Sequence, residues 1–239
     1  MEIKLQKIIE LKGQIILESN LHIGSGNMEM HIGGTDNPII KHPHTLEPYI
    51  PGSSIKGKVR SLMELSSGVA QFAYKKNPGS GGMASLATLK QACSDEARNE
   101  VADILKIFGF SGSDKSGRDD ESQLVTDLGP TRVAFSDCFL NKEWKEKAIE
   151  NLWPLAIEKA ETAIDRITGT AKSGSLRITE MVPAGAKFDF RLSFKVFCDD
   201  DKNLFNKLKA GLELLAKDAL GGSGSRGYGR IRFEKLHEE

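Results

Sequence analysis

An excess of charge of either sign is missing from this sequence: its 239 residues carry 33 Lys plus Arg and 33 Asp plus Glu. A global basic field is excluded, so any affinity for a polyanion has to come from local clustering. Cysteine is scarce. Cys93, Cys138 and Cys198 lie far apart without paired spacing, which excludes a disulfide framework and a zinc pattern and fits a reducing cytosol. Long apolar runs are also missing. None approaches the ~18 residues needed to span a bilayer, and Met1 to Lys7 is charged from the start, so the expectation is a soluble, cytoplasmic chain with no membrane partner. No G-x-S-x-G elbow or Cys–His constellation argues for covalent catalysis. His22, His31, His42, His44 and His237 remain as acid–base or ligand candidates, but His42-Pro43-His44 is too rigid and isolated to make a zinc site.

The patterning that is present alternates strand and helix. Ile15-Ile16-Leu17, set off by Gly13, belongs to a first strand. From His31 to Pro51 breakers replace periodicity (Gly33, Gly34, Asp36, Asn37, Pro38, Pro43, Pro48), so a long structured loop is expected, and such loops inside compact domains are usually functional. Ser53 or Ser54 then caps a helix with Ile55, Val59, Leu62 and Met63 on one face. Residues 66–128 change character, with the glycine-rich run Asn77–Gly82, a helical stretch near 85–107 and a charged run from Ser111 to Glu121, as suits an insertion with two flexible hinges. Strand pattern resumes over 131–140. Residues 142–160 are helical in part, and 161–182 read as a polar, weakly packed hairpin. Phe188, Phe190, Leu192, Phe194 and Val196 alternate at period two, the clearest strand in the chain. A helix over 201–218, a glycine-rich loop over 221–229 and a closing strand follow. The order fits a split βαβ or ferredoxin-like α+β core, a topology shared with RNA-recognition modules.

Three motifs bear on chemistry. Gly52-Ser53-Ser54-Ile55-Lys56-Gly57-Lys58 matches the glycine and lysine positions of a phosphate loop, but Val59 stands where the magnesium-binding hydroxyl is required. A capped helix start beside Lys56, Lys58 and Arg60 still suits a backbone phosphate, and a solvated basic helix face explains the same residues. Gly222-Ser223-Gly224-Ser225-Arg226-Gly227 satisfies G-x-G-x-x-G, yet it follows a helix and precedes a strand, the reverse of the dinucleotide-binding order. That density of glycine lets another backbone approach closely, while Arg226, Arg230 and Tyr228 add charge and a stacking face. Asp36, in Gly33-Gly34-Thr35-Asp36-Asn37-Pro38, is by composition a turn former.

Four co-linear motifs change the weight of Asp36. Ile32–Asp36, Tyr49–Gly57, Thr162–Gly169 (Thr-Ala-Ile-Asp-Arg-Ile-Thr-Gly) and Gly221–Gly229 together resemble the RAMP superfamily of CRISPR proteins, most closely the repeated backbone component of type III-A (Csm) effector complexes. The likeness runs through nearly the whole chain, apart from 66–128. It implies a single RAMP domain over 1–239 with a ferredoxin-like palm, a lid insertion at 66–128 and a β-hairpin thumb at 160–182. It also implies copies of the chain joined in a filament along a CRISPR RNA, with other Csm complex subunits as partners and target single-stranded RNA as substrate, cut at regular intervals where thumbs flip base pairs. By the same resemblance Asp36 is the catalytic residue and candidate metal ligand, cleavage needs Mg²⁺ or another divalent cation, and His22, Ser54, Lys56, Lys58, Arg60, Arg166, Arg226 and Tyr228 contact RNA. The residues leave open whether Asp36 acts as general base or metal holder. Two alternatives stand beside this reading: a non-catalytic RNA-binding filament subunit, and a CRISPR RNA processing ribonuclease using His22 or His31.

Overall fold

The computed structural model describes residues 3–26, 35–111 and 119–239, without the side chains of 119–122. Two antiparallel sheets organise the chain. In the larger, β1 (Lys7–Leu17) lies between β5 (Lys187–Val196) and β6 (Ile231–Glu238), and the short β2 (Val133–Phe135) adds to the outer side of β5. The smaller sheet is a hairpin of β3 (Ile157–Glu161) and β4 (Arg177–Met181). It begins before the expected boundary at 160, because the helix expected within 142–160, α6 (Lys142–Glu150), stops at Glu150.

Period-two patterning decides which face of the large sheet is buried. Phe188, Phe190, Leu192, Phe194 and Val196 all point inward; opposite them on β1, Ile15 pairs with Phe188, Leu11 with Leu192 and Ile9 with Phe194. Gly13 lies opposite Phe190. A β-bulge between Lys12 and Gln14 presses the β6 backbone onto this point: Lys235 is left-handed at φ 54°, and a Cβ on Gly13 would lie 2.8 Å from the Glu234 carbonyl oxygen. The glycine there makes room for the bulge.

Two helices cover the inward face. α1 (Gly52–Ser66) supplies Ile55, Val59 and Met63, and α7 (Asp201–Lys217) supplies Leu204, Leu208, Leu212 and Leu215, each at helical spacing. They touch at Gly211, where a Cβ would meet Met63 Sδ at 2.7 Å and Val59 Cγ1 at 2.9 Å. The missing side chain lets the helices approach.

Between α1 and β2 the chain forms α2 (Val69–Lys76), α3 (Leu86–Lys90), α4 (Asp95–Phe108) and α5 (Asp119–Leu128). Most of the charged run from Ser111 to Glu121 falls outside the described residues or side chains. The helical segment shares the main core rather than building its own: Val69, Leu86, Val101, Ile104, Leu105 and Phe108 pack with the sheet residues in one cluster. Polar groups fasten both of its ends. Arg60 donates from Nε to Glu64 at 2.9 Å, from Nη1 to the Gly109 carbonyl at 3.1 Å and from Nη2 to the Ala84 carbonyl at 2.7 Å. Farther along, buried Arg132 donates to the Pro130 and Leu128 carbonyls and to Asp201 Oδ1, the last at 3.2 Å. Asp201 Oδ2 in turn accepts the Phe197 N–H at 2.7 Å.

Two stability predictions follow from these contacts. Gly211→Leu overfills the α1–α7 contact and lowers stability by about 1–3 kcal/mol, read as a shift of the urea midpoint. Arg132→Met leaves the Asp201 carboxylate buried without its cation and costs about 3–5 kcal/mol by the same measurement.

Candidate nucleic-acid interface

An RNA-recognition module stacks bases on aromatic residues of its sheet. Here the open face of the central strands carries Glu10, Lys12, Gln14, Asp189, Arg191, Ser193 and Lys195. Three of these side chains, Glu10, Lys12 and Arg191, partner one another, and Asp189 accepts from Asn141 Nδ2 at 2.8 Å. Arg191 donates to Glu10, Lys12 pairs with Glu10 at 3.1 Å and with Glu239 at 2.5 Å, and Arg191 first, then Lys12, hold the Glu10 carboxyl below its ordinary value. Neither β1 nor β5 presents a ring on this face; the rings that border it are His237 of β6, opposite Lys12, and the half-exposed Phe139, and the candidate site lies beside the sheet at the root of the hairpin.

The segment expected as a long loop is positioned there by isolated bridges. Asn37 pairs in parallel with Thr179, and Gly24 pairs with Ile39. Its irregular sequence reflects pairing with distant segments, one residue at a time. Asp36 is exposed, and its Oδ2 accepts the Ile178 N–H of β4 at 2.8 Å. Oδ1 has no hydrogen-bond partner among the described residues. Thr35 donates to Glu158 of β3, so both hairpin strands touch this short stretch. Ile32, Gly33, Gly34 and His31 lie outside the described residues.

Glu180 ties the neighbourhood together. Its carboxylate accepts the Ile39 N–H at 3.1 Å and the Lys41 ammonium, its N–H donates to the Asn37 carbonyl at 3.0 Å, and its carbonyl accepts from His22 Nδ1 at 2.7 Å. That bond places the proton of neutral His22 on Nδ1 and leaves Nε2 as an acceptor. The His22 carbonyl accepts the Gly222 N–H at 2.9 Å, bringing in the glycine-rich loop. Gly221 has φ 75°, and a Cβ there would lie 2.3 Å from the His22 carbonyl oxygen. The close backbone approach read from these glycines is real, and the approaching backbone is the chain's own.

The hairpin tip presents apolar surface that composition did not announce. Ile167 is 95% exposed and Ile164 and Leu176 are more than half exposed. Arg166 sits beside Ile167 and donates to the Ile164 carbonyl at 3.3 Å. The tip is shaped by Asp165, whose Oδ1 accepts the N–H groups of Ile167 at 2.9 Å and Thr168 at 3.0 Å. The Thr168 and Ile167 amides lower the Asp165 carboxyl from its ordinary value.

Other expected residues fall elsewhere or do other work. Tyr228, expected as a stacking face, is 6% exposed, so its ring is closed to a base. Arg226 is half-exposed and pairs with Glu161 at 3.1 Å. The helix cap is corrected outright: neither Ser53 nor Ser54 caps α1, Pro51 is the capping residue and makes no side-chain bond. Asp137 Oδ1 accepts the Gly52 N–H at 2.8 Å, so a carboxylate already sits against the helix start that was read as a phosphate site. Gly52 permits this, since a Cβ would lie 2.5 Å from the Phe135 carbonyl oxygen. Ser54 lies in the first turn, and Lys58 pairs with Asp218 at 2.7 Å. Arg60 spends its guanidinium on the protein itself. Lys56 makes no ion pair among the described residues, and burial, then Arg60, lowers its pKa. Among the described residues no hydrogen bond or ion pair links α1 to the hairpin. The structure therefore brings together Asp36, His22, Arg226 and Tyr228 around the hairpin root. Glu158, Glu161 and Glu180, which also build that root, gave no local signal because their partners are distant in sequence.

A family model described as the RAMP superfamily matches residues 14–232, and the chain belongs to that superfamily. It is 38% identical over 226 residues to the "CRISPR system Cms endoribonuclease Csm3" of Methanocaldococcus jannaschii, covering 95% of this chain and 78% of that one. To the Streptococcus thermophilus protein of the same name it is 35% identical, covering 95% of this chain and 88% of its relative. Within the superfamily the chain is thus a member of the Csm3 family. Among solved structures it resembles a chain of the "Csm3-Csm4 subcomplex in the type III-A CRISPR-Cas interference complex", with a TM-score of 0.54, 27% identity, and 99% of this chain and 80% of that one covered. Among the described residues no helix is long and apolar enough to cross a membrane.

The tip geometry carries a pH prediction. Because the folded Asp165 carboxyl titrates below its ordinary value of 3.8, the turn it stabilises is intact above that value and loosens as pH falls through the lowered one. Hydrogen exchange at the Ile167 and Thr168 amides should therefore lose its protection only in strong acid, whereas Asp165→Ala loses it at neutral pH.

Proposed function

We propose that this chain is a CRISPR-RNA-binding backbone subunit of a type III-A effector complex and an endoribonuclease that cuts guide-paired target RNA, with Asp36 as its catalytic residue. The observation that carries this reading is the Asp36 carboxylate. One oxygen is held by the Ile178 N–H at 2.8 Å and the other has no hydrogen-bond partner among the described residues, on an exposed residue at the root of a hairpin with an apolar tip. A carboxylate fixed on one side and free on the other is oriented for chemistry without being neutralised by it.

The surrounding architecture supports the rest. The core runs β1, α1, β2, then β5, α7, β6, with strand order β2-β5-β1-β6, which we infer to be ferredoxin-like. Residues 66–128 serve as the lid and residues 160–182 as the thumb of a single RAMP domain spanning 1–239. At the thumb tip, Ile167 is an apolar wedge with Arg166 beside it for a phosphate. Thumbs of successive copies in a filament would part the guide–target duplex at equal spacing and expose one target linkage at each Asp36. His22 Nε2, Lys56, Lys58, Ser54 and the exposed Arg226, whose guanidinium also meets Glu161 and Ser223, are the candidate guide contacts; Arg60 and Tyr228 contribute by holding structure. Other Csm subunits complete the assembly, and the cytoplasm is its expected compartment.

In the cleavage step the target 2′-oxygen bonds to the adjacent phosphorus as the bond from phosphorus to the 5′-oxygen breaks, leaving a 2′,3′-cyclic phosphate and a 5′-hydroxyl. As general base, Asp36 Oδ1 accepts the 2′-hydroxyl proton, and solvent protonates the departing oxygen. Among the described residues no group of three or more His, Cys, Asp and Glu could hold a metal. The donor set fits a hydrated Mg²⁺ held by one carboxylate, with water and substrate phosphate filling its shell. Bound there, the cation would supply charge neutralisation at the phosphate.

Asp36→Ala in the assembled complex should slow target cleavage by about 100-fold or more while guide and target stay bound. Undiminished cutting would instead favour a non-catalytic filament subunit, and cutting of precursor repeat RNA by the isolated chain would favour a processing nuclease.

A further inference from the structure

The 35–41 segment holds the β4 side of the hairpin. On β3, among the described residues, that segment reaches only Glu158, through Thr35; the following residues, Lys159 and Glu161, are held by groups with no part in the cleavage step. The Tyr228 hydroxyl donates to Glu161 Oε1 at 2.8 Å and accepts from Lys159 Nζ at 2.5 Å. The Lys159 ammonium also lies 4.9 Å from the Tyr228 ring centroid, and the Arg226 guanidinium 5.9 Å from it. Glu161 Oε2, buried without a hydrogen bond, faces Arg226 Nη1 at 3.1 Å. Lys159 and Glu161 are two apart on β3 and so point to the same side of the strand. One hydroxyl therefore grips two successive side chains on that side, which fixes the rotation of the strand as well as its distance.

The anchor itself is stiff. Tyr228 lies between Gly227 and Gly229, both left-handed; a Cβ on Gly229 would lie 1.9 Å from the Leu220 carbonyl oxygen. Gly229 donates to the Asn20 carbonyl at 2.9 Å and accepts from Leu220 N–H at 2.9 Å. The glycine-rich loop is thus closed on itself and on the end of β1. Its one buried ring reaches out to the hairpin.

We propose that Tyr228 is a positioning residue whose hydroxyl, with Glu161, Lys159 and Arg226, sets the direction in which the hairpin projects from the core. Residues 221–229 then act as the hairpin's mount. This deepens the proposed function, in that a mounted thumb holds its wedge at a constant place relative to Asp36, but its test needs no RNA.

The test uses the full chain with exposed Cys93 replaced by Ser and a nitroxide label on Ser173→Cys near the hairpin tip; a second label on Glu150→Cys at the end of α6 serves as control. Tyr228→Phe, which keeps the ring and removes the hydroxyl, should speed the tip label's motion by about twofold and leave the control unchanged. Glu161→Ala should do the same, the double variant should add nothing, and Glu161→Gln, which keeps an acceptor, should restore most of the parent behaviour. A tip label unmoved by Tyr228→Phe, or equal loosening at both labels, would overturn the proposal and reduce Tyr228 to core packing. Either result stands apart from whether Asp36→Ala abolishes cleavage.

Discussion

The carboxylate and backbone of Glu180 join three parts of the chain that sequence keeps far apart: residue 22 after β1, residues 37–41, and strand β4. Its side chain takes the Ile39 N–H and the Lys41 ammonium, its N–H goes to Asn37 and its carbonyl to His22. A strand edge has unpaired N–H and C=O groups that must be satisfied somewhere. On β4 the 35–41 segment satisfies them, and in doing so Asp36 is set against Ile178. The placement of the candidate catalytic carboxylate is therefore a consequence of edge pairing, made one residue at a time rather than as a continuous ladder.

The same logic explains why the candidate surface is at the side of the fold. The inward face of the large sheet is occupied by α1 and α7. The middle of the outward face carries paired charges, Arg191 with Glu10 and Lys12 with Glu10 and Glu239, and paired charges on a solvated surface offer little to a ligand. What remains is the edge from which the hairpin, the 35–41 segment and the glycine-rich loop project. These are irregular elements on a rigid base, the usual place for binding and chemistry.

Cations share this division of labour. Arg132 and Arg60 are committed to carbonyls and carboxylates of their own chain, where the planar five-donor guanidinium suits several partners at once. They fasten the ends of the 66–128 segment to the core, into which its own residues Val69, Leu86, Val101, Ile104, Leu105 and Phe108 pack. Lys56 and Arg166 form no ion pair among the described residues. With equal numbers of acidic and basic residues in the chain, this local separation of structural from available cations is what an RNA-binding role requires.

Period-two alternation in β5 and the 3.6-residue spacing of α1 and α7 needed no context, since one amphipathic element reports its own buried face. The order of strands and helices was legible for the same reason, and the four ordered motifs carried the family. Local pattern could not say that Asp137 accepts the first N–H of α1, that Tyr228 turns inward, that Arg60 is spent on carbonyls, or that Ile167 is left bare at a tip. Each of those depends on what another segment brings to within a few ångströms, and short-range polar contacts between segments far apart in sequence leave no periodicity to read. Asp36 belongs to both lists. Its presence in a turn-forming run was visible in the residues, while its orientation came only from the N–H of Ile178, on a strand that tertiary folding alone places beside it.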